Sequence, residues 1–516
     1  MFLSDNRKLP FPHAQVMQEY QTLAAIDLGS NSFHLQVGRV EGEQLFYLDS
    51  LKESVRLAAG LTEQKKLDGA AQKRALNCLA RFGERLQGMP AGAVRAVGTS
   101  ALRVAKNAPA FLEKARAALG FDIDIVAGRE EARLIYLGVA HSLPLTRSPR
   151  LVVDIGGGST ECILGVGYEP GERESLRMGC VGYTKQFFAS GRLDKVAFWN
   201  AETTARVEIQ AVASGFRDGA WEEAVGSSGT AKALGEICMQ NGFSDGAITL
   251  GGLLWMREQL IKAGSLDRLE LDGLKPDRHP VIPGGLTVML ALFQELGIES
   301  MTPALGAMRE GILWDLLGRV HDQDMRDVTV SQFQRRYQVD RRQAEHVEGV
   351  AMGLLRDIAG SVHEPMEEVR HRLAWAARLH EVGISIAHSG FHKHGAYILE
   401  NADMPGFSRR DQANLATLVR ASRGSLKKFP LPWGDANWPL ILCLRLAVLF
   451  GLGRRDMDLA GLRLASRGGD RSDEWELVVP EALLQANPLT QAALEDELQE
   501  WAAVAPSVRL ARIRGG

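Results

Sequence analysis

Asp27 and Asp154 each close a short apolar run and open a turn rich in glycine and hydroxyl groups. The first turn reads Asp27-Leu28-Gly29-Ser30-Asn31-Ser32, and the second Asp154-Ile155-Gly156-Gly157-Gly158-Ser159-Thr160-Glu161. Aligned on the aspartates, Gly29 falls on Gly156, Ser32 on Ser159 and Gly38 on Gly165. Glycine admits positive φ and close backbone approach, so successive N–H groups can converge on one anionic oxygen. Serine and threonine add hydroxyl donors and Asn31 adds an amide. A carboxylate at a strand end can bridge hydrated Mg²⁺ to phosphate oxygens. Either turn alone is an ordinary hairpin turn. The two together, facing across a cleft, would make a phosphate- and metal-binding site.

The elements that must position these groups are legible around them. Leu23–Ile26 and Leu151–Val153 read as first strands, and Phe33–Val40 and Cys162–Val166 as second strands. Asp154 and Glu161 are seven residues apart, so they share a face only if the intervening turn resets the direction of the chain. A third segment, Ala224-Val225-Gly226-Ser227-Ser228-Gly229-Thr230, leads into a helix-forming stretch from Ala231 to Ile237. Such a loop offers free backbone donors and the positive end of a helix dipole to an anion. The alternation of Phe121–Val126 predicts a strand, followed by a helix from Glu130 onward. Glu130 and Glu131 then fall in the first helical turn, where acidic residues are common and the anion is favoured. Their spacing does not choose between them.

At 516 residues the chain is long enough for several domains, each with its own core. A net charge of −3 leaves no global field, so any polyanion must meet a local basic surface. Five scattered cysteines, Cys78, Cys162, Cys180, Cys238 and Cys443, carry no paired metal spacing and read as reduced thiols of a cytoplasmic protein. The segment up to Gln21 has no signal-peptide core. The longest apolar run, Leu440–Leu452, contains Arg445 and is too short to span a bilayer, so membrane contact would be peripheral at most. Aromatics are sparse near the basic clusters, which gives no reason to expect nucleic-acid binding.

The doubled turn and the Gly-Ser-Ser-Gly-Thr loop resemble the acetate/sugar kinase, heat-shock chaperone and actin superfamily. Within it the chain resembles the exopolyphosphatase and guanosine pentaphosphate phosphohydrolase family. The likeness rests on Ala25–Phe33, Val153–Glu161, Gly128–Ile135, Met178–Val181, Ala307–Gly311 and His388–His394, and spans nearly the whole chain. It implies an α/β fold of two actin-like, ribonuclease H-like lobes at 1–134 and 135–314. An all-helical HD-like domain at 315–456 and a small α+β domain at 457–516 would follow, beyond a charged junction at Val320–Asp327.

The resemblance implies Mg²⁺-dependent hydrolysis of a terminal phosphoanhydride, with Glu131 as general base. Asp154 is the implied leading metal ligand, with Glu161 and Asp27 as partners, and room is left for a monovalent cation such as K⁺. Phosphate contacts are expected from Gly29, Ser30, Asn31, Ser32, Arg103, Gly156, Gly157, Gly158, Ser159, Thr160, Ser228, Gly229 and Thr230. In the helical domain, His346, His380-Glu381 and Arg445 echo the HD phosphohydrolase pattern. Glu381 replaces its Asp, however, and Arg445 stands where a ligand is needed; a guanidinium cannot ligate a cation. A degenerate, metal-free scaffold is therefore expected. Basic clusters such as Arg335-Arg336, Arg341-Arg342, Arg409-Arg410 and Lys427-Lys428 would guide a long polyphosphate, and a homodimer is the default.

Three readings stay open at this stage: an exopolyphosphatase, a guanosine pentaphosphate phosphohydrolase, or a non-catalytic sensor of either ligand. The all-glycine turn Gly156-Gly157-Gly158 and the His388–His394 segment look more like the polyphosphatase branch.

Overall fold

Leu23 to Ile26 are fully buried, and the strand they belong to, β1 (Thr22–Leu28), lies at the centre of a sheet. A tight turn at 29–32 returns the chain antiparallel as β2 (Phe33–Glu41), and β3 (Gln44–Glu53) continues the meander to the sheet edge. On its other side β1 pairs in parallel with β4 (Val94–Gly98), and β5 (Ile123–Ile125) closes the order β3-β2-β1-β4-β5. The pattern then repeats. β6 (Arg150–Ile155), buried throughout, pairs antiparallel with β7 (Thr160–Val166), which pairs with β8 (Glu169–Leu176). β6 pairs in parallel with β9 (Glu223–Ser227), and β10 (Ile248–Thr249) and β11 (Ser300–Pro303) complete the order β10-β11-β9-β6-β7-β8. Central strands flanked on both faces need continuous apolar runs, which is why Leu151-Val152-Val153 shows no polar alternation.

The computed structural model describes residues 20–42, 44–217, 219–320, 324–362, 364–429, 437–455, 457–467, 474–504 and 508–513. The chain divides into two units, one taking residues up to Asp124 with Glu131–Asp324, the other Ile125–Glu130 with the residues from Met325 onward. Both sheets above belong to the first unit. The N-terminal residues 1–19 and positions 321–323 of the expected charged junction lie outside the described residues.

Within the first unit, residues 131–141 of helix Gly128–His141 cross helix Met308–Val320 at contact distance. A β-carbon at Gly311 would lie 1.7 Å from the Leu134 carbonyl oxygen, so only glycine allows this approach. Beside the crossing, the buried Asp315 carboxylate takes Arg95 of β4 and Arg133 of helix Gly128–His141, with Arg319 Nε at 3.1 Å. One carboxylate thus ties a strand to the two helices that begin beside the site described below.

The second unit packs helices Met325–Arg336, Arg341–Asp357, Met366–Leu379, Phe391–Asn401, Arg409–Ala421 and Trp438–Gly451 around one core. Trp475, Leu477 and Val479 of β13 (Glu474–Pro480) and Trp501 of helix Pro488–Ala502 belong to that same core. β12 (Arg463–Arg467) and β14 (Val508–Ile513) flank β13, antiparallel and parallel respectively. The C-terminal segment therefore mixes strands and helices as expected for 457–516, but it shares its hydrophobic core with the helices of the same unit. Arg445, on the most buried helix, is held by Glu497 at 2.5 and 2.7 Å and donates to the Ala421 carbonyl at 2.7 Å. His380 Nδ1 sits 2.7 Å from the Ala377 carbonyl, and Glu381 takes Arg454 at 2.6 Å. Arg129 pairs with Asp403 at 2.7 Å, and the Glu130 carboxylate accepts the Gly406 N–H at 3.0 Å.

Asp315 yields a stability prediction. Burial alone would raise its pKa, but Arg133, Arg95 and Arg319 together hold it well below the usual carboxylate range. A depressed folded pKa contributes stability that is present above the unfolded value and lost as pH falls. Asp315→Asn leaves buried guanidinium groups uncompensated and should cost about 3–5 kcal/mol at neutral pH. In urea denaturation, that deficit should shrink in acid. A deficit that is small, or that does not change with pH, would contradict the clamp.

Candidate active site

The turn between β6 and β7 resolves the question of the seven-residue spacing. Asp154 and Glu161 are direct cross-strand partners, so both side chains project from the same face. The first hairpin uses the same spacing, and there Asp27 stands opposite His34. His34 thus occupies in the first lobe the position of Glu161 in the second. Sequence reasoning passed over it, although the doubled motif carried the signal at the same offset from each aspartate.

Both turns, together with the first turn of helix Ser228–Gln240, which starts directly after β9 where the sequence suggested a loop, line one cavity of about 330 Å³. Its wall carries Asp27, Glu131 and Asp154, with Gly29, Ser30, Asn31, Ser32, Gly156, Gly157, Ser159, Ser228, Gly229 and Thr230 of the predicted phosphate contacts. Four predicted residues stand apart from this wall. Gly158 is not part of it, and the Thr160 hydroxyl is spent on the Met178 carbonyl at 2.7 Å. Glu161 is buried behind Asp154 and accepts the Ser175 hydroxyl at 2.8 Å. Arg103 donates to Glu131 at 2.9 Å, so the structure places it beside the candidate base.

The wall also holds four cations that sequence reasoning did not assign to the site: Lys52, Lys232, Arg278 and Arg309. Arg309 lies inside a motif already singled out, Ala307–Gly311. Lys232 follows two residues after the singled-out segment's Thr230, whereas Lys52 and Arg278 carry no local signal. Arg278 is admitted by Gly229, where a β-carbon would fall 1.9 Å from the guanidinium. The preceding Ser228 holds φ at +71°, a region costly for a residue other than glycine. It is held there because Ser228 and Thr230 donate their hydroxyls to the Ile155 carbonyl at 3.0 and 2.9 Å. The helix start is thereby pinned to the end of β6, beside Asp154.

Burial and mutual charge perturb both the acidic and the basic groups of the cavity. Burial pushes Asp27 up to about 8, with repulsion from Glu131 and Asp154 adding to it and Arg309 opposing. Asp154 is pushed up to about 6 by burial, while the Ser227 and Ser228 hydroxyls favour its anion. Glu161 is raised well above its ordinary value by burial and by Glu131 and Asp154. Burial also raises Glu131, and Arg103 opposes it. Burial and then Arg309, Lys52, Arg278 and Lys232 drive His34 down to about 3. Among the described residues, Asp27 Oδ1 and Arg309 Nε are buried without a hydrogen-bond partner. Carboxylates and cations interleaved on one wall, with an unmet buried group of each kind among the described residues, suit a ligand carrying both a cation and several negative charges.

The sequence pattern of the Ppx/GppA phosphatase family matches residues 37–320, and that of Ppx/GppA phosphatase domain III matches residues 325–498. The chain belongs to the Ppx/GppA phosphatase family. Among solved structures, an exopolyphosphatase from Cytophaga hutchinsonii is similar at 23% identity, over 58% of this chain and 98% of that one, with a TM-score of 0.53. A Ppx/GppA family member from Aquifex aeolicus is similar at 24% identity, over 59% and 98%, with a TM-score of 0.48. The first of these likenesses supports the actin-like reading of the two sheets. Family membership makes this cavity, with its acidic and basic groups, the phosphatase site candidate. The family's second pattern falls on the helical unit. Among the described residues no helix is long and apolar enough to cross a membrane.

The raised carboxylates predict a pH dependence. A native pKa above the unfolded value means that the folded state binds more protons, so stability falls as pH rises through that interval. For Asp27 the interval runs from about 4 to about 8. Ligand-free wild-type protein should lose thermal stability between about pH 5 and about pH 8, and Asp27→Asn should lose less. Equal slopes for the two proteins, followed by calorimetry, would show that Asp27 is not strained in the empty site.

Proposed function

We propose that the cavity hydrolyses the terminal phosphoanhydride of inorganic polyphosphate and releases orthophosphate. One observation carries this reading: buried carboxylates and four cations share a wall on which no Phe, Tyr or Trp side chain appears among the described residues. Without an aromatic platform, the site has charges for a phosphate chain and no stacking surface for a base. The similar Cytophaga hutchinsonii protein is an exopolyphosphatase, which agrees with this reading.

The acidic groups fit Mg²⁺. Asp154 and Asp27 bring carboxylate oxygens to the wall, one of them unpartnered, and a divalent ion would relieve the repulsion that raises their pKa values. Among the described residues no three His, Cys, Asp or Glu side chains group as a metal site. Mg²⁺ commonly keeps several waters and is bound through one or two carboxylates plus substrate phosphates, so no protein-only cage is required. Asp154 and Asp27 would hold it, with Glu161 behind Asp154, and when bound it would supply charge neutralisation at the phosphoryl oxygens.

Glu131 is the base. Its carboxylate is oriented by the Arg103 hydrogen bond, and burial makes it a stronger proton acceptor than an exposed glutamate. A water held by Glu131 gives up its proton there while its oxygen bonds to the terminal phosphorus. The bridging P–O bond breaks, and its electron pair leaves on the shortened chain. Backbone N–H groups of the two turns and of the first turn of helix Ser228–Gln240 meet the phosphoryl oxygens. Lys52, Lys232, Arg278 and Arg309 meet the charge of the rest of the chain.

The test is orthophosphate release from long-chain polyphosphate and from guanosine pentaphosphate, with and without chelator. Wild type should prefer polyphosphate and fall silent on chelation. Glu131→Gln should lose about 10²–10⁴-fold in rate while folding normally. Preference for the nucleotide would assign the same chemistry to the other substrate. Undiminished turnover in Glu131→Gln would remove the base assignment.

A further inference from the structure

The internal duplication extends one strand beyond the hairpins. In the first lobe, His34 of β2 stands opposite both Asp27 of β1 and Lys52 of β3. In the second, Glu161 of β7 stands opposite both Asp154 of β6 and Ser175 of β8. Directly opposed residues share a face, so each lobe presents a row of three side chains across three adjacent strands. The rows are equivalent in position and opposite in chemistry. Asp154, Glu161 and Ser175 form a cation-accepting row, whereas in the first lobe an imidazole replaces the second carboxylate and an ammonium replaces the hydroxyl.

Exposure of the rows to the cavity differs in the same sense. All three members of the Asp27–His34–Lys52 row reach the cavity wall, but only Asp154 of the other row does. Neutral imidazole has an N–H donor in either tautomer, and the ammonium has three. Neighbouring strands are roughly 4.8 Å apart, so His34 and Lys52, side by side on one face, can hold two oxygens of one phosphate. Arg309, on the same wall, adds a guanidinium with an unmatched Nε among the described residues.

We propose that His34 and Lys52 form a second phosphate subsite, which receives the phosphate adjoining the terminal one. This rests on the phosphoanhydride reading above. It makes the site selective for substrates with at least two linked phosphates over monophosphates. The terminal phosphate is held by the glycine turns. The next is held by His34 and Lys52, and it leaves with the shortened chain when the bridging bond breaks.

The probes are orthophosphate, with one phosphorus, and methylenediphosphonate, whose P–C–P bridge resists hydrolysis. Calorimetric titration in Mg²⁺ buffer would compare wild type, Lys52→Met and His34→Gln. Lys52 is exposed, so its variant should fold even if the His34 variant does not, and a thermal melt checks each. Loss of a charge-assisted hydrogen bond should weaken methylenediphosphonate roughly tenfold or more, while orthophosphate changes by less than about threefold. Equal weakening of both probes, unchanged diphosphonate binding, or no diphosphonate binding by wild type would overturn the subsite. If wild type hydrolyses polyphosphate but Lys52→Met binds the diphosphonate normally, the subsite fails and the hydrolase reading stands. If diphosphonate binding depends on Lys52 but polyphosphate is not cleaved, the subsite stands and the hydrolase reading fails.

Discussion

Asp27, Glu131, Asp154 and Glu161 are withdrawn from water within electrostatic reach of one another, and much of the first unit answers to that arrangement. Four carboxylates so placed repel each other and lose hydration, which is why their proton affinities rise. The protein offsets this only in part. Arg103 attends Glu131, Ser175 attends Glu161, and the hydroxyls of Ser227 and Ser228 favour the Asp154 anion. Asp27 keeps a buried oxygen unmatched among the described residues. In the proposed reading, the unfavourable energy of the empty site would become affinity for a cation that arrives with a phosphate ligand.

Holding that arrangement requires rigid supports, and the chain supplies them close by. Glu131 and Arg309 each sit near the start of a helix, and those two helices touch through Gly311. Asp315 and its arginines bind the same pair to β4, itself a neighbour of β1 and hence of Asp27. In the other lobe the strained helix start at Ser228 is tied to the end of β6, which fixes Arg278 and Asp154 together. The groups of the cavity therefore derive from two sheets, from helices Gly128–His141, Ser228–Gln240 and Met308–Val320, and from the segment that carries Arg278.

Much of this was legible from the residues, because the two turns are local and their chemistry is carried by glycine, serine and aspartate in sequence order. The hairpins, the strand and helix at 223–240 and the C-terminal strands were visible in apolar runs and punctuation. The pairing of Asp154 with Glu161 was not, since it depends on how many residues the turn absorbs. Nor was the set of cations: Lys52, Lys232, Arg278 and Arg309 converge from four separate segments, and only the folded chain makes them neighbours. Arg103, expected at the phosphates, donates to Glu131, a partner that its position in the sequence does not reveal. The helical unit showed its apolar helices clearly, while the fusion of its core with the C-terminal strands involved contacts distant in sequence.

The central claim is that water activated at Glu131 attacks the terminal phosphorus of a phosphate chain. Hydrolysis of polyphosphate in ¹⁸O-enriched water, followed by ³¹P spectroscopy of the isotope-shifted products, tests it directly. The label should appear as one solvent oxygen in each orthophosphate released, with none in the shortened chain. Label on the new chain end would place the attack on the neighbouring phosphorus instead. Orthophosphate free of solvent oxygen would show transfer to another acceptor, and the account of the cavity as a hydrolytic site would fail.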